Sequence, residues 1–308
     1  MKPDETLARW DMLSDRTPDT ETLAAMERMT GVCYRTRSIR SGDMLEIEAY
    51  PLLPRHESAK IRRIKPSPEA KKAQNRRNAE KRFRRLAEIN FRDHEDYFFT
   101  GTIAAKAGES LPTVEEVSRI YNNFILRVNR HRKAAGLAKA KHLGVIEGTS
   151  EGSRQTRLHV HMLIEGGLSR DEMEKLWNAG MIVKCERLVK GMLDQLCAYM
   201  TKDPKGRKRW KYARGLKQPT VTVADRKISS KAAWRVASDV AGRNAALERL
   251  YPGYRMDARE GQEAVEVRTN PYVPGVFISA RLRRIEPPAQ RKRRRKRWDH
   301  PKQGGGAA

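Results

Sequence analysis

Hydrophobic and polar residues alternate in several short stretches of the chain, and this period of two predicts β-strands. The predicted strands are residues 44–48, 96–104, 142–148, 158–164, 181–189, 263–269 and 276–285. A polar, glycine-containing loop joins 142–148 to 158–164, so these two strands are predicted to pair as a hairpin. Residues 1–40 are polar and mixed, with weak helical signals.

Other stretches carry apolar residues every three or four positions, which predicts amphipathic helices. The clearest helix follows a capping box formed by Thr113 and Glu116, and a shorter one follows a second box, Ser169 with Glu172. Further helices are predicted over residues 190–203 and near 230–250. This order of elements predicts an α+β fold, in which a mainly antiparallel sheet carries helices packed on one side.

A strongly basic helix is predicted over residues 68–90, because Ser67 followed by Pro68 is a helix-start signal. It has few apolar residues and many cations, so two interpretations stay open: a solvated face, or a helix that lies along phosphates.

The sequence is divided into three predicted parts. They are a leader region with the basic helix (1–90), a globular domain (91–285) and a disordered basic tail (286–308).

The charge balance narrows the class of partner. The chain of 308 residues has 64 Lys and Arg against 38 Asp and Glu, a formal net charge of +26. Nucleic acid is the first candidate partner and an anionic membrane surface the second. No apolar run approaches the roughly 20 residues that span a bilayer, and the amino terminus does not resemble a signal peptide, so no membrane partner is expected. Three cysteines without a CxxC pair suggest a reducing compartment and no cysteine-based zinc site.

The predicted hairpin carries a candidate metal site. His159 and His161 are separated by one residue and therefore point to the same face of their strand. Glu147 ends the preceding strand, so its carboxylate is expected to reach both imidazoles. Two imidazoles and one carboxylate suit a divalent cation that also binds a substrate oxygen. The alternatives are a structural histidine pair and a surface carboxylate at a hairpin end.

Tyr199 is a candidate nucleophile. It lies outside the apolar stripe of the helix predicted over 190–203, and Lys202 lies about one turn further on, on the same face. A tyrosine hydroxyl is a poor nucleophile unless a metal and a cation favour its phenolate. The alternative is an amphipathic tyrosine at a helix edge beside a solvated lysine.

A basic segment with interleaved aromatic residues follows the tyrosine, and this mixture suits a phosphate backbone with unstacked bases. The candidate nucleic-acid-binding residues are Arg157, Arg207, Lys208, Arg209, Trp210, Lys211, Arg214 and Lys217. Tyr212 is a second aromatic residue in this segment. The alternative is a mobile basic loop without a ligand.

Taken in order, these motifs resemble those of the HUH endonucleases, specifically rolling-circle replication initiators with one tyrosine. The similarity rests on FFTGT (98–102), Glu147, the His159-Val160-His161 strand and the Tyr199-to-Lys202 helix, and it extends over roughly residues 38–285. Gly101 departs from the family's first motif, where a larger residue is usual. The helix has no second tyrosine, so the resemblance implies a reaction with a single tyrosine.

The resemblance implies an RRM-like core and a mechanism. Glu147, His159 and His161 would bind Mg²⁺ or Mn²⁺, and Tyr199 would attack the scissile phosphate to form a 5′-phosphotyrosine link with a free 3′ hydroxyl, later religated. Lys202 would position the phosphate or favour the phenolate. The implied substrate is single-stranded or hairpin origin DNA in the cytoplasm of a bacterial host. No GxxxxGK[ST] run is present, so a host helicase and polymerase are expected partners.

Three functions besides that of an initiator stay open at this point. A relaxase or single-tyrosine transposase would use the same chemistry. A non-catalytic nucleic-acid-binding protein would need only the basic surface. A metal-dependent hydrolase would use water in place of the tyrosine.

Overall fold

The computed structural model describes residues 18–21, 23–24, 32–52, 67–104, 112–148, 158–180, 183–201, 209–258, 263–270 and 273–285. The strands are β1 (Cys33–Ser41), β2 (Met44–Leu52), β3 (Tyr97–Thr102), β4 (His142–Glu147), β5 (His159–Ile164), β6 (Val183–Arg187), β7 (Lys211–Tyr212), β8 (Thr220–Asp225), β9 (Tyr254–Met256), β10 (Val265–Asn270) and β11 (Val273–Arg284). The helices are α1 (Pro68–Asn90), α2 (Val114–Ala134), α3 (Arg170–Lys175), α4 (Leu193–Thr201), α5 (Ser230–Ser238) and α6 (Arg243–Leu250). The predicted tail, 286–308, lies outside the described residues.

The strands form two antiparallel sheets, which confirms the α+β class. The five-stranded sheet has the order β6-β3-β5-β4-β7. The six-stranded sheet has the order β10-β11-β2-β1-β8, and β9 also pairs with β11. Strands β1 and β2 of the predicted leader region share the six-stranded sheet with β8 and β11. The predicted domain boundary at residue 90 stays a prediction.

Strand β1 corrects the expectation of weak helical structure before residue 40. Its buried positions include the small polar residues Thr36 and Ser38, so the apolar signal of a strand is weak. Two of its arginines are instead paired with carboxylates on neighbouring strands: Arg35 binds Asp225 on β8 at 2.7 Å, and Arg37 binds Glu48 on β2 at 3.0 Å. A partner 190 residues away is not visible in a local pattern. Strand β8 is exposed along most of its length and was likewise not predicted.

Helices cover both faces of the five-stranded sheet, which corrects the expectation of helices on one side. The face of Tyr97, Phe99 and Met162 packs against α2 and α3. The opposite face, which includes Leu143 and Leu163, packs against α1 and α4. Alternate residues of β3, β4 and β5 are therefore buried in two different cores.

Helix α1 lies between the two sheets. Phe83 and neighbouring apolar residues join the core of the five-stranded sheet. Arg84 and Arg85 point the other way and bind Glu46 of β2. These two arginines therefore fit neither interpretation offered for the basic helix, since they are neither solvated nor available to phosphates.

The helix-start signals in the sequence are confirmed. Ser67 caps α1 with Pro68 at its first position, and both predicted capping boxes are present. The helix predicted over 190–203 is a short 3₁₀ turn, Lys190–Met192, followed by α4. The helix predicted near 230–250 is two helices, α5 and α6, which pack on the six-stranded sheet. Within the described ranges, no helix combines the length and apolar character that crossing a membrane requires.

Candidate metal and tyrosine site

The β4–β5 hairpin brings the three candidate metal ligands together. In its register Glu147 lies opposite His159, and Val145 lies opposite His161. Both histidines therefore lie on the face of the sheet that carries α1 and α4. One ligand atom from each of Glu147, His159 and His161 lies within 4.8 Å of the other two. The strand pairing predicted from the sequence is confirmed, and the cluster is a consequence of it.

Two residues of β3 fix the His161 ring. The hydroxyl of Thr100 lies 2.9 Å from Nδ1 of His161, and the two residues are paired in the β3–β5 register. The Phe98 ring stacks on the imidazole with an interplanar angle of 9°. With Nδ1 occupied by this hydrogen bond, Nε2 is the atom that faces Glu147 and Tyr199, as metal-binding histidines require.

The carboxylate of Glu147 has the position and the charge that a cation ligand needs. Its Oε2 lies 3.3 Å from Nε2 of His161 and 3.7 Å from Nε2 of His159. This buried oxygen accepts no hydrogen bond of good geometry from the described residues. Burial alone would raise the pKa of Glu147, but the two imidazoles bring it down to about 2. The carboxylate is thus ionised at neutral pH, with a buried oxygen facing two ring nitrogens, an arrangement that fits a divalent metal ion.

Helix α4 places Tyr199 beside this cluster. Leu193, Cys197 and Met200 form its buried stripe, and Tyr199 lies outside the stripe with 45% of its surface exposed. The Tyr199 hydroxyl is 3.3 Å from Nε2 of His161. Burial and the neighbouring carboxylate of Glu147 raise the pKa of Tyr199, so its phenolate needs a nearby cation to form.

The predicted nucleic-acid-binding residues fall into three groups. Arg157, Arg207 and Lys208 lie outside the described residues, as does the candidate catalytic residue Lys202. Arg209, Arg214 and Lys217 are exposed, and none of them makes an ion pair with the described part of the chain. Lys217 is held through its backbone N–H, which donates to Asn90.

Trp210 and Lys211 form the third group, and both are engaged within the protein. Trp210 packs edge-on against Phe83 of α1, with ring centroids 5.6 Å apart. Lys211 points to the opposite face of the sheet, where its ammonium group lies 3.1 Å from Oδ1 of Asn122 on α2. Tyr212 is 48% exposed, and its side chain makes no hydrogen bond or ring contact with the described residues. Tyr212 is therefore better placed than Trp210 to stack on a base.

Sequence reasoning missed Thr100 and Phe98 as parts of the site. Both lie in FFTGT, which was noted only as a motif. An antiparallel pairing of this strand with the histidine strand would have placed Thr100 beside His161. The pattern of the sequence does not specify that pairing, because the two strands are separated by helix α2 and strand β4.

Comparisons of the chain with protein-family models, with curated proteins and with solved structures found no match.

Proposed function

We propose that this chain is a metal-dependent strand transferase that nicks single-stranded or hairpin origin DNA through Tyr199, as rolling-circle replication initiators do. The observation that carries the proposal is the 3.3 Å approach of the Tyr199 hydroxyl to Nε2 of His161. This approach lies inside a cluster of two imidazoles and one carboxylate. A nucleophile next to a cation site is the arrangement that phosphoryl transfer needs.

Glu147, His159 and His161 would hold Mg²⁺ or Mn²⁺. The ion would polarise a non-bridging oxygen of the scissile phosphate and offset its negative charge. Thr100 and Phe98 hold the His161 ring in the orientation that this binding requires. Since the three ligands come from adjacent strands, the site is rigid compared with one built on loops.

The proposed reaction conserves a phosphodiester bond. The Oη–P bond to Tyr199 forms, the O3′–P bond breaks, and the phenol proton is transferred to the departing 3′ oxygen. The products are a 5′-phosphotyrosine link and a free 3′ hydroxyl, which a polymerase can extend. The reverse reaction with a later 3′ hydroxyl reseals the strand without ATP, since the energy of the broken bond is retained. Lys202 is expected to position the phosphate.

Charge on the protein supports a nucleic-acid substrate. The net charge of +26 favours a polyanion. Arg209, Arg214 and Lys217, which make no ion pair with the described residues, flank β7, the edge strand of the five-stranded sheet. Tyr212 is exposed in the same segment and faces the side that carries Tyr199. These residues suit a single strand, whose bases are open to stacking.

Non-catalytic binding is a second candidate function, which the same charge favours. A relaxase or transposase would share the tyrosine chemistry, and a hydrolase would activate water at the same cation.

One experiment separates catalysis from binding. The protein is incubated with Mn²⁺ and a labelled pool of single-stranded DNA from around its own gene, and a denaturing gel reveals any covalent adduct. The variants are Tyr199→Phe and the double variant His159→Ala/His161→Ala.

The matched control is Tyr254→Phe, which also removes one tyrosine hydroxyl, but from the six-stranded sheet. We expect an adduct with the wild type and the control, and none with the other variants. Cleavage that survives Tyr199→Phe without an adduct would identify the hydrolase. Salt-sensitive binding without cleavage in every protein, with the true origin in the pool, would identify a binding protein.

A further inference from the structure

We infer that the six-stranded sheet positions the nucleophile: Arg281 of β11 anchors helix α4 through Asp194 and so sets the distance from Tyr199 to the metal cluster. This inference rests on the proposed function, since the distance matters only if Tyr199 reacts. The contact joins the six-stranded sheet to helix α4, which packs on the five-stranded sheet, and no sequence motif indicated it.

Helix α4 needs an anchor beyond its apolar stripe. It has nine residues, and Leu193, Cys197 and Met200 fix only which face is buried. Nonpolar packing has no preferred direction, so a short helix with a single stripe can shift or rotate at small cost. The Tyr199 hydroxyl must nevertheless lie within a few tenths of an ångström of a productive position, because a displacement of about 1 Å can slow a reaction about 100-fold.

Asp194 and Arg281 provide a directional contact. Nη1 of Arg281 donates to Oδ2 of Asp194 at 2.7 Å. Arg281 is 8% exposed and Asp194 is 7% exposed, so the pair is almost fully withdrawn from water. Asp194 lies five residues before Tyr199, which corresponds to about 7.5 Å along the helix axis. A buried ion pair of this length fixes both the rotation and the axial position of the helix start.

The anchor is itself held by other buried charges. Arg84 of α1 approaches Asp194 to 3.5 Å and also binds Glu46. Glu46 lies directly across from Arg281 in the β2–β11 register. Arg281 in addition donates to the backbone carbonyl of Asp257. The four charges of Arg281, Asp194, Arg84 and Glu46 therefore form one cluster that ties the six-stranded sheet, α1 and α4 together.

The metal ligands do not depend on this cluster. Glu147, His159 and His161 are held by the β4–β5 hairpin within the other sheet. Breaking the anchor should therefore displace Tyr199 and leave the cation site intact. If Arg281 only stabilised the fold, breaking the anchor would disturb both Tyr199 and the cation site. A change at Tyr199 alone therefore indicates a positioning role.

The test uses Arg281→Met, Asp194→Asn and their double variant, with Arg281→Lys as the conservative replacement. The matched control is Arg37→Met, which breaks another largely buried arginine–carboxylate pair in the same sheet, Arg37 with Glu48 at 3.0 Å, a pair that involves no residue of α4. Three quantities are measured on folded protein: the single-turnover rate of adduct formation, the affinity for Mn²⁺ alone, and the ¹⁹F shift of fluorotyrosine at position 199, assigned with Tyr199→Phe.

We expect both single variants to form the adduct about 10- to 100-fold more slowly, with Mn²⁺ affinity unchanged within about twofold and the ¹⁹F signal shifted. The double variant should be no slower than the slower single variant, because both remove one interaction. Arg281→Lys should recover part of the rate, and Arg37→Met should retain all of it.

Wild-type rates and an unshifted ¹⁹F signal in both single variants would overturn the inference, as would an equal loss in Arg37→Met. If the wild type forms no adduct, the proposed function fails, and the ¹⁹F signal still decides whether Arg281 positions Tyr199. The two failures are therefore distinguishable.

Discussion

At the scale of single residues, the hydroxyl of Thr100 orients one candidate metal ligand, His161. It occupies Nδ1 of His161 and leaves Nε2 directed at the cluster. Thr100→Val keeps the shape of the side chain and removes this hydrogen bond. We expect Mn²⁺ affinity to fall about 10- to 100-fold, as is typical when the hydrogen-bonding partner of a metal ligand is lost.

Titration with Mn²⁺, followed by electron paramagnetic resonance, measures this affinity without any DNA. Thr222→Val is the control, since it also removes a threonine hydroxyl but lies on β8 of the other sheet. An unchanged affinity in Thr100→Val would show that the stacked ring of Phe98 orients His161 on its own.

Packing against Trp177 explains why residue 101 is a glycine. A Cβ at this position would lie 2.6 Å from the Trp177 ring, which is buried against Phe99 and Phe124. We expect Gly101→Ala to destabilise the fold by about 1–3 kcal/mol, as overpacking of a core does. Urea unfolding measures the change.

Gly191→Ala is the matched control for this substitution, because its nearest neighbour would be 4.0 Å away. Its effect should stay within about 0.5 kcal/mol. A Gly101→Ala variant as stable as the wild type would mean that the Trp177 ring moves aside at little cost.

At the scale of elements, local sequence signals predicted helix starts and one hairpin. They did not predict strands and contacts that depend on residues far away in the chain. Capping residues fixed the starts of α1, α2 and α3, and alternation with a glycine-containing loop fixed the β4–β5 hairpin, which carries the cluster. Strand β1 was not predicted because some of its buried residues are polar. The contact that anchors α4 was not predicted because Asp194 and Arg281 are 87 residues apart in the chain. The sequence around each residue does not identify the other as its partner.

The contact of α1 with β2 makes stability depend on pH. Burial alone would raise the pKa of Glu46, but Arg85 and Arg84 lower it from 4.5 to about 2. A carboxyl whose pKa is lowered by folding stabilises the protein above its unfolded pKa, and this contribution is lost as the pH falls through the folded pKa. The stabilisation by Glu46 is therefore complete above about pH 4.5 and disappears towards about pH 2.

Glu46→Gln tests this dependence. Urea unfolding of the wild type and the variant is compared at several pH values from about 6 to about 2, and the difference in the free energy of unfolding should shrink as the pH falls. Comparing the two proteins cancels the titration of the other carboxylates. A difference that stays constant over this range would show that the charge of Glu46 does not stabilise the contact with α1.

At the scale of the whole molecule, the net charge of +26 does not by itself locate a nucleic-acid surface, because many cations are neutralised internally. Arg84, Arg85 and Arg281 are engaged in largely buried ion pairs. More exposed arginines elsewhere also have carboxylate partners, as Arg35 has in Asp225. The free cations in the segment next to β7 are a different class, since nothing in the described part of the chain competes with a phosphate for them.

This difference predicts the salt dependence of binding to single-stranded DNA. Each phosphate contact contributes about 0.7 to the slope of log affinity against log salt concentration, so Arg209→Gln/Arg214→Gln/Lys217→Gln should lower the slope by about 2. The control, Arg35→Gln/Arg170→Gln/Arg255→Gln, removes the same net charge from arginines that already bind carboxylates. Its slope should match the wild type. Equal slopes in the two triple variants would mean that DNA binding depends only on the overall charge of the protein. The single-stranded DNA would then have no defined path past β7 to Tyr199.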